Sequence, residues 1–397
     1  MDENKKTIWL LSVVSLINDT ASKIIVPILP FFIIFLGGSG FAVGLVSGIG
    51  ESVASLFKVI AGYWSDKLNT RKPFVLWGYL GAQLSKFLMA FATAWPHVLI
   101  LRSAERLGKG VRSAPRDSLL AAVTEKKTRG KWFGVQRAFD SSGAILGSLL
   151  VFAFYYLFKY DYKTIFIIAG IIGLVSVIPI FFIKDQGQVV PDAKKRFVLE
   201  MKGLPKQLKV FYVIATIFAL GNFSYMFFVL KSQTFFTGLM AIGAPILLYA
   251  LYNLSYTVLA VPAGKLSDRV GRKPVLMIGY MLFGLTSIGF MLSNAIWQLV
   301  ALFVLFGVNY AFTEATERAY VSDLAPNDAR GTALGSFHTL ISMAALPAGL
   351  VAGALWDAHP NYTFGYGAIM ATLAVLLFLF FQRKQKVQNK QGVQGEA

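Results

Sequence analysis

A chain of 397 residues with 56% hydrophobic residues, 15% charged residues and a mean hydropathy of +0.60 does not have the composition of a soluble enzyme. Its net charge of +18 would suit nucleic acid only if the basic residues were gathered on a soluble face; here they are dealt out in short loops between apolar runs, which excludes a nucleic-acid partner. There is no cysteine, so a disulfide framework and a thiolate metal site are both excluded.

The amino terminus, MDENKK, is followed by an apolar run from Thr7 to Leu36 that is too long for a cleaved signal peptide and has no small-residue cleavage site, so it reads as the first permanent span. Windows of about 20 apolar residues predict twelve spans, near 8–36, 41–63, 74–93, 97–121, 132–158, 163–184, 209–236, 243–263, 275–293, 296–322, 331–355 and 363–382. The expected fold class is therefore an all-α integral membrane protein. The termini and the loops on their side hold about 25 of the 38 Lys and Arg, and the opposite loops hold only Lys159 and Lys163. That asymmetry predicts cytoplasmic termini in the inner membrane of a bacterial cell. The long polar interval from Asp185 to Lys209 divides six spans from six, giving a first bundle at 1–187, a linker at 188–208 and a second bundle at 209–382. A polar tail at 383–397 is expected to be disordered.

Taken in order, span one places Asp19 and Lys23 at i, i+4, where they either neutralise each other or form a proton site. Glu51 stands near the middle of span two as a lone carboxylate, a second candidate for proton coupling. After span two come Gly62, Asp66, Lys67, Arg71, Lys72 and Pro73. A Gly there permits close helix approach, and Asp66 can meet the amino-terminal end of span eleven and a nearby Arg. Span four is the anomaly. Arg102, Arg106, Lys109, Arg112 and Arg116 fall within a stripe of about 120° on a helix stepping 100° per residue, with Glu105 inside it and Asp117 at its edge. A charge near the bilayer centre costs about 2.5 to 3.5 kcal/mol on insertion scales, so this face must look into protein or a wet cavity. Arg102, Glu105, Arg106 and Lys109 are the candidate substrate ligands, and an Arg and Lys column predicts an anionic or zwitterionic substrate. Arg112 and Arg116, nearer the cytoplasm, pair with Asp117, Asp140 or Glu317 as glue or as a gate. The GKG at 108–110 is no phosphate loop, since no G-x-x-x-x-G-K-S/T occurs. No cofactor, metal or catalytic residue is expected.

In the second half, Asn222 and Tyr225 in span seven and Glu314 in span ten are further candidate ligands. Glu317 and Arg318 stand 201 positions after Arg116 and Asp117, with the charge order reversed, and are candidates to bridge the halves on the cytoplasmic side. His338 in span eleven is a third proton-coupling candidate. The halves also echo each other. Gly264, Asp268, Arg269, Arg272, Lys273 and Pro274 repeat the loop after span two, and Arg330, Gly331 and Gly335 repeat Arg129, Gly130 and Gly134 at an offset of 201. Two echoes at nearly one offset indicate duplication, as in transporters built from parallel six-span repeats.

These residues resemble the major facilitator superfamily. Gly62, Asp66, Lys67, Arg71 and Lys72 match its loop signature with Asn69 in a glycine place, the copy from Gly264 to Pro274 matches with Gly271, and Arg102, Glu105, Arg106 and Gly108 occupy its fourth-span signature. The resemblance covers essentially residues 8–382 and implies two pseudo-symmetric six-helix bundles. It also implies secondary transport of a small molecule by alternating access, and a loop that latches the cytoplasmic gate through Gly62, Asp66, Arg71, Arg129, Gly264, Asp268 and Arg272. A monomer is expected, with the bilayer, a small solute and protons as partners. The alternatives are efflux of amphipathic compounds through a cavity lined by Phe and, from another class, a non-transporting receptor or scaffold.

Overall fold

The computed structural model describes residues 3–125, 128–183, 203–326 and 329–394, with side chains described except at 129, 130 and 382–394. Span one is α1 (Glu3–Ile25) and α2 (Leu29–Phe35), span two α3 (Gly40–Lys67), span three α4 (Lys72–Leu88), span four α5 (Trp95–Ala122) and span five α6 (Arg129–Phe152). Span six is α7 (Tyr162–Val175) and α8 (Ile178–Phe181), and span seven is α9 (Lys206–Gly221) and α10 (Tyr225–Gln233). The rest are single helices, α11 (Met240–Val270), α12 (Arg272–Leu292), α13 (Ile296–Leu324), α14 (Arg330–Ala358) and α15 (Pro360–Gln394). Eleven spans are long and apolar enough to cross a membrane by composition. The twelfth, α5, has 28 residues, about 42 Å of helix, and misses that standard because of its charges. The fold is two pseudo-symmetric six-helix bundles. The linker expected at 188–208 lies largely outside the described residues, and α15 continues as helix past the expected span end at 382.

Span six turns at residues 176–177, and two further spans expected to be continuous are interrupted. Pro27 lacks an amide hydrogen, and residues 26–28 form a turn between α1 and α2. Residues 222–224 are not helical, so α10 starts within span seven. The breaks face each other, since the Tyr225 hydroxyl donates to the Val26 carbonyl at 3.1 Å. Pro115 lies inside α5 and leaves it unbroken. The glycine place of the loop signature has a backbone reason: Asn69 and Gly271 both have positive φ, 49° and 95°, a region that Asn and Gly tolerate best. At an exposed loop outside the spans, Asp161 caps α7, and the hydroxyl and amide of Thr164 hold its carboxyl below the usual carboxylate range.

With twelve spans, both ends of the chain lie on one face, here the termini face. The bundles meet most tightly at the opposite, far face. Gly40, Gly44 and Gly48 of α3, spaced four apart, lie against Gly353, Gly349 and Ala345 of α14 so closely that a Cβ on Gly44 would overlap the Gly349 carbonyl oxygen, and one on Gly353 the Gly40 carbonyl. Asp357, at the end of α14, accepts from Gly40 N at 2.6 Å, Phe41 N at 3.0 Å and Ser39 Oγ at 2.7 Å, which caps the positive end of the α3 dipole from the other bundle. Closer to the termini face the contact loosens: Ser52 Oγ still donates to Ser342 O at 2.8 Å, but a Cβ on Gly335 would meet open space.

The absence of cysteine makes this closure measurable. In a Ser39→Cys, Asp357→Cys chain a short bis-maleimide should join the bundles, and adding Gly44→Val should cut the joined fraction several-fold. Equal joining with and without Gly44→Val would mean that the glycine contact does not hold the far face shut.

Candidate functional site

The charged face of α5 is held in place by glycine. Gly108 packs on Gly78 and Ala82 of α4, and Gly110 on Ala54 and Phe57 of α3, each too close for a Cβ. Gly50 of α3 leaves the space that the Arg106 side chain fills. The α5 charges are thereby aimed at partners. Arg102 Nη1 donates to Glu105 Oε2 at 2.7 Å, Arg106 Nε lies 3.7 Å from the same oxygen, and Arg106 Nη2 meets Glu51 Oε1 at 3.0 Å. Such a chain replaces the water each charge gives up on entering the bilayer. Arg102 is 2% exposed and Glu105 is buried, while the Glu51 side chain, as deep in the protein, is 52% exposed. A carboxylate that deep and that open faces a cavity rather than a packed core.

The cavity measures about 150 Å³. Val46, Ser47, Glu51, Arg102 and Arg106 line it from the first bundle, and Asn222, Ser224, Tyr225 and Tyr310 are among its walls from the second. Every charge is on the first-bundle wall; the second offers an amide, hydroxyls and aromatic rings. The interruption at 222–224 puts the amino-terminal end of α10 at the same cavity. Lys23 of the first bundle reaches span eight, donating to Tyr249 Oη at 2.7 Å and Asn253 Oδ1 at 3.3 Å.

Of the expected ligands, Arg102, Arg106, Asn222 and Tyr225 line the cavity, with Glu105 behind the two arginines. Lys109, one turn nearer the termini face, is exposed and makes no ion pair among the described residues. Glu314 is not at the cavity: it accepts from Tyr256 and pairs with Arg318 at 2.6 Å, and Arg137 of α6 reaches it at 4.0 Å across the bundles. Two expectations for the proton candidates need correction. Glu51 is not a lone carboxylate, because Arg106 comes over from α5 to meet it. Asp19 and Lys23 form no ion pair within 4 Å; Asp19 accepts from Asn18 Nδ2 at 2.8 Å, and Lys23 is drawn to the other bundle. The His338 ring packs 5.6 Å from that of Phe337 and does not line the cavity.

The expected gate residues fall within their own halves. Arg116 donates to Asp117 at 3.0 Å and Ser15 at 3.2 Å, Arg112 is buried with its guanidinium 4.1 Å above the Tyr79 ring, and Asp140 lies beside Ser15 and Arg116. Glu317 accepts from Tyr280 at 2.8 Å, so the bridge expected between Glu317 or Arg318 and Arg116 or Asp117 is not formed in this arrangement. Asp66 is exposed and does not meet span eleven, while Arg71 is buried at the start of α4. Gly62 approaches Ala114, whereas Gly264 faces open space, so only the first copy of the loop has the close helix approach. Arg272 joins Asp268, Ser267 at 2.7 Å and Asp323 at 3.0 Å. The Arg129 side chain lies outside the described residues.

Two features escaped the sequence. Tyr310 stands 201 positions after Lys109, so the repeat offset pointed to it. Lys86 is 0% exposed, and its ammonium donates to Ser22 Oγ at 2.7 Å and Gln83 Oε1 at 3.0 Å, with Gln83 Nε2 passing on to Asn18 Oδ1 at 2.7 Å. This chain ends on Asp19 and ties span three to span one through neutral groups. An isolated Lys in an apolar run carries no signal for such partners.

A family model described as Major Facilitator Superfamily matches residues 11–248 and again 213–396. An uncharacterized MFS-type transporter of Methanocaldococcus jannaschii is 44% identical over 381 residues, 95% of each chain. The class E tetracycline resistance protein of Escherichia coli is 24% identical over 411 residues, covering 98% of this chain and 99% of that one. Among solved structures, the nucleoside transporter NupG superposes with a TM-score of 0.78 at 16% identity, over 96% of this chain and 99% of the other.

Glu105→Gln removes the carboxylate that two buried guanidinium groups share, and should cost about 3–5 kcal/mol. Lys86→Met replaces an ammonium whose hydrogen-bond partners are neutral and should be near neutral or stabilising. Thermal unfolding of the purified chain in detergent checks both: Glu105→Gln should unfold well below the unmodified chain and Lys86→Met should not. The reverse order would mean that Lys86, not Glu105, holds the buried network together.

Proposed function

We propose, from the premise that this chain belongs to the Major Facilitator Superfamily, that it carries a small solute with a negative or zwitterionic group across the membrane by alternating access. It is a multi-pass membrane transporter; the solute class and its coupling are what the site argues for. The observation that carries the reading is the division of the cavity, with Arg102 and Arg106 on one wall and no charge on the other. A solute bound there touches both bundles, and a ligand can shift an equilibrium between two arrangements only by contacts that differ between them.

Cytoplasmic termini in the cell's inner membrane, as the Lys and Arg count argues, make the present arrangement inward-facing. Asp66, without an ion pair among the described residues, and the separate Arg116 and Arg318 clusters agree with an open cytoplasmic gate. In the outward-facing state Asp66 would latch to span eleven, and Arg318 would close on Asp117. Of the proton candidates, Glu51 has the strongest support because it is open to the cavity and already paired with a cavity cation. Asp19 stands behind it on the Asn18, Gln83 and Lys86 chain, and His338 nearer the termini face. The protein is taken to work as a monomer.

Efflux of larger amphipathic compounds is the second reading, favoured by full-length similarity to a tetracycline resistance protein. A cavity of about 150 Å³ with charge on one wall argues for a small anion instead.

Uptake into proteoliposomes tests the choice. Transport of an organic anion should fall at least about tenfold in Arg106→Ala and Lys109→Ala, a loss of 1.4 kcal/mol or more, and Glu51→Gln should abolish its response to an imposed pH gradient. Transport unchanged in both cation variants would remove the anion reading, and a pH response that survives Glu51→Gln and Asp19→Asn would remove these carboxylates from coupling.

A further inference from the structure

We propose that the anionic group of the solute is held at one defined subsite, between Nη2 of Arg102 and the amino-terminal end of α10, and that the site is built for a monoanion of about benzene's bulk. This rests on the anion reading and narrows it.

The donor is already in place. Arg102 lines the cavity, is 2% exposed and spends Nη1 on Glu105, while its buried Nη2 has no hydrogen-bond partner among the described residues. Leaving a buried donor unmade costs about 1–3 kcal/mol, and more when the group is charged. Nη2 is closed off in this arrangement, so a small turn of the guanidinium brings it to a ligand oxygen, and that bond removes the cost. Arg106, by comparison, is already engaged by Glu51 and Glu105.

The opposite wall supplies a second attraction of the same sign. Because span seven is interrupted at 222–224, the nine-residue helix α10 begins inside the protein, with Asn222, Ser224 and Tyr225 on the cavity. The first amides of any helix have no carbonyl partner within it, and the aligned peptide dipoles put positive potential there. The cap at this end is slight, one bond from Met226 N to Ser224 Oγ at 3.3 Å and one from Phe227 N to Ser224 O at 3.2 Å. An anion placed between Arg102 and this helix end bridges the two bundles.

Charge and volume set the class. The charged residues that line the cavity are Arg102, Arg106 and Glu51, so its wall carries one surplus positive charge, which suits one negative charge. A cavity of about 150 Å³ is the size that holds benzene. Phe223, Tyr225 and Tyr310 give it ring faces against which a planar body can lie.

Binding to the full-length chain purified in detergent tests this, with benzoate as the monoanion, benzamide as its neutral counterpart and phthalate as the dianion, read by calorimetry and by the shift in unfolding temperature. Benzoate should bind saturably, benzamide and phthalate at least about tenfold more weakly, and Arg102→Lys should weaken benzoate by about tenfold or more. If Arg102→Lys does not fold, the order of the three probes on the unmodified chain decides alone. Phthalate binding as well as benzoate, or benzoate binding untouched in Arg102→Lys but lost in Lys109→Ala, overturns the subsite and leaves the anion reading standing. Benzamide equal to benzoate overturns both. No binding of benzoate overturns the proposed class, and the uptake of other anions then judges the wider reading separately.

Discussion

The structure depends on how four charges are satisfied at bilayer depth. Arg102, Glu105, Arg106 and Glu51 form one continuous series across α5 and α3, with contacts of 2.7, 3.7 and 3.0 Å. Each charge alone would be expelled from the hydrocarbon; together they are matched, and only their cavity side stays open. The series can exist because small residues bring the backbones together. Gly108 and Gly110 seat α5 between α4 and α3, and Gly50 clears room for Arg106. The site is thus a consequence of packing as much as of charge.

The duplicated halves solve the same positions in opposite ways. At an offset of 201, Arg102, Glu105 and Arg106 correspond to Phe303, Phe306 and Gly307, and Gln83 and Lys86 to Gly284 and Ser287. Where the first bundle has ion pairs, the second has a buried aromatic stack, with Phe228 and Phe306 rings 4.3 Å apart and Phe290 and Phe303 rings 5.4 Å apart. Lys109 becomes Tyr310, which turns a cation into a cavity-lining hydroxyl and ring. One bundle carries charge and the other carries shape, and the cavity lies between them.

That division suits a protein whose halves move against each other. The far face is shut by backbone contact between α3 and α14 and by the Asp357 cap, both of which lie between the bundles and can be given up without breaking either one. The ion series lies within the first bundle and survives such a motion intact. Lys23 to Tyr249, Tyr225 to Val26 and Arg137 to Tyr256 are among the side-chain contacts between the bundles that such a motion would change.

Much of this is written along the chain. Apolar run length determined the twelve spans, the offset of 201 the duplication, and the stripe from Arg102 to Arg116 which face of span four looks inward. The interruptions and the pairings are another matter. Asn222 to Ser224 carry no proline, and Gly221, Asn222 and the Ser224 cap are only a weak local signal for the break. Arg106 meets Glu51 from a different helix, Lys23 leaves Asp19 for Tyr249, and Lys86 finds Ser22 and Gln83. The sequence by itself decided which segments enter the membrane and which charges must be hidden, because hydropathy and helical period are properties of consecutive residues. Which charge meets which, and which donor is left for a solute, depended on the approach of helices far apart in the chain, and so only the tertiary structure decided it.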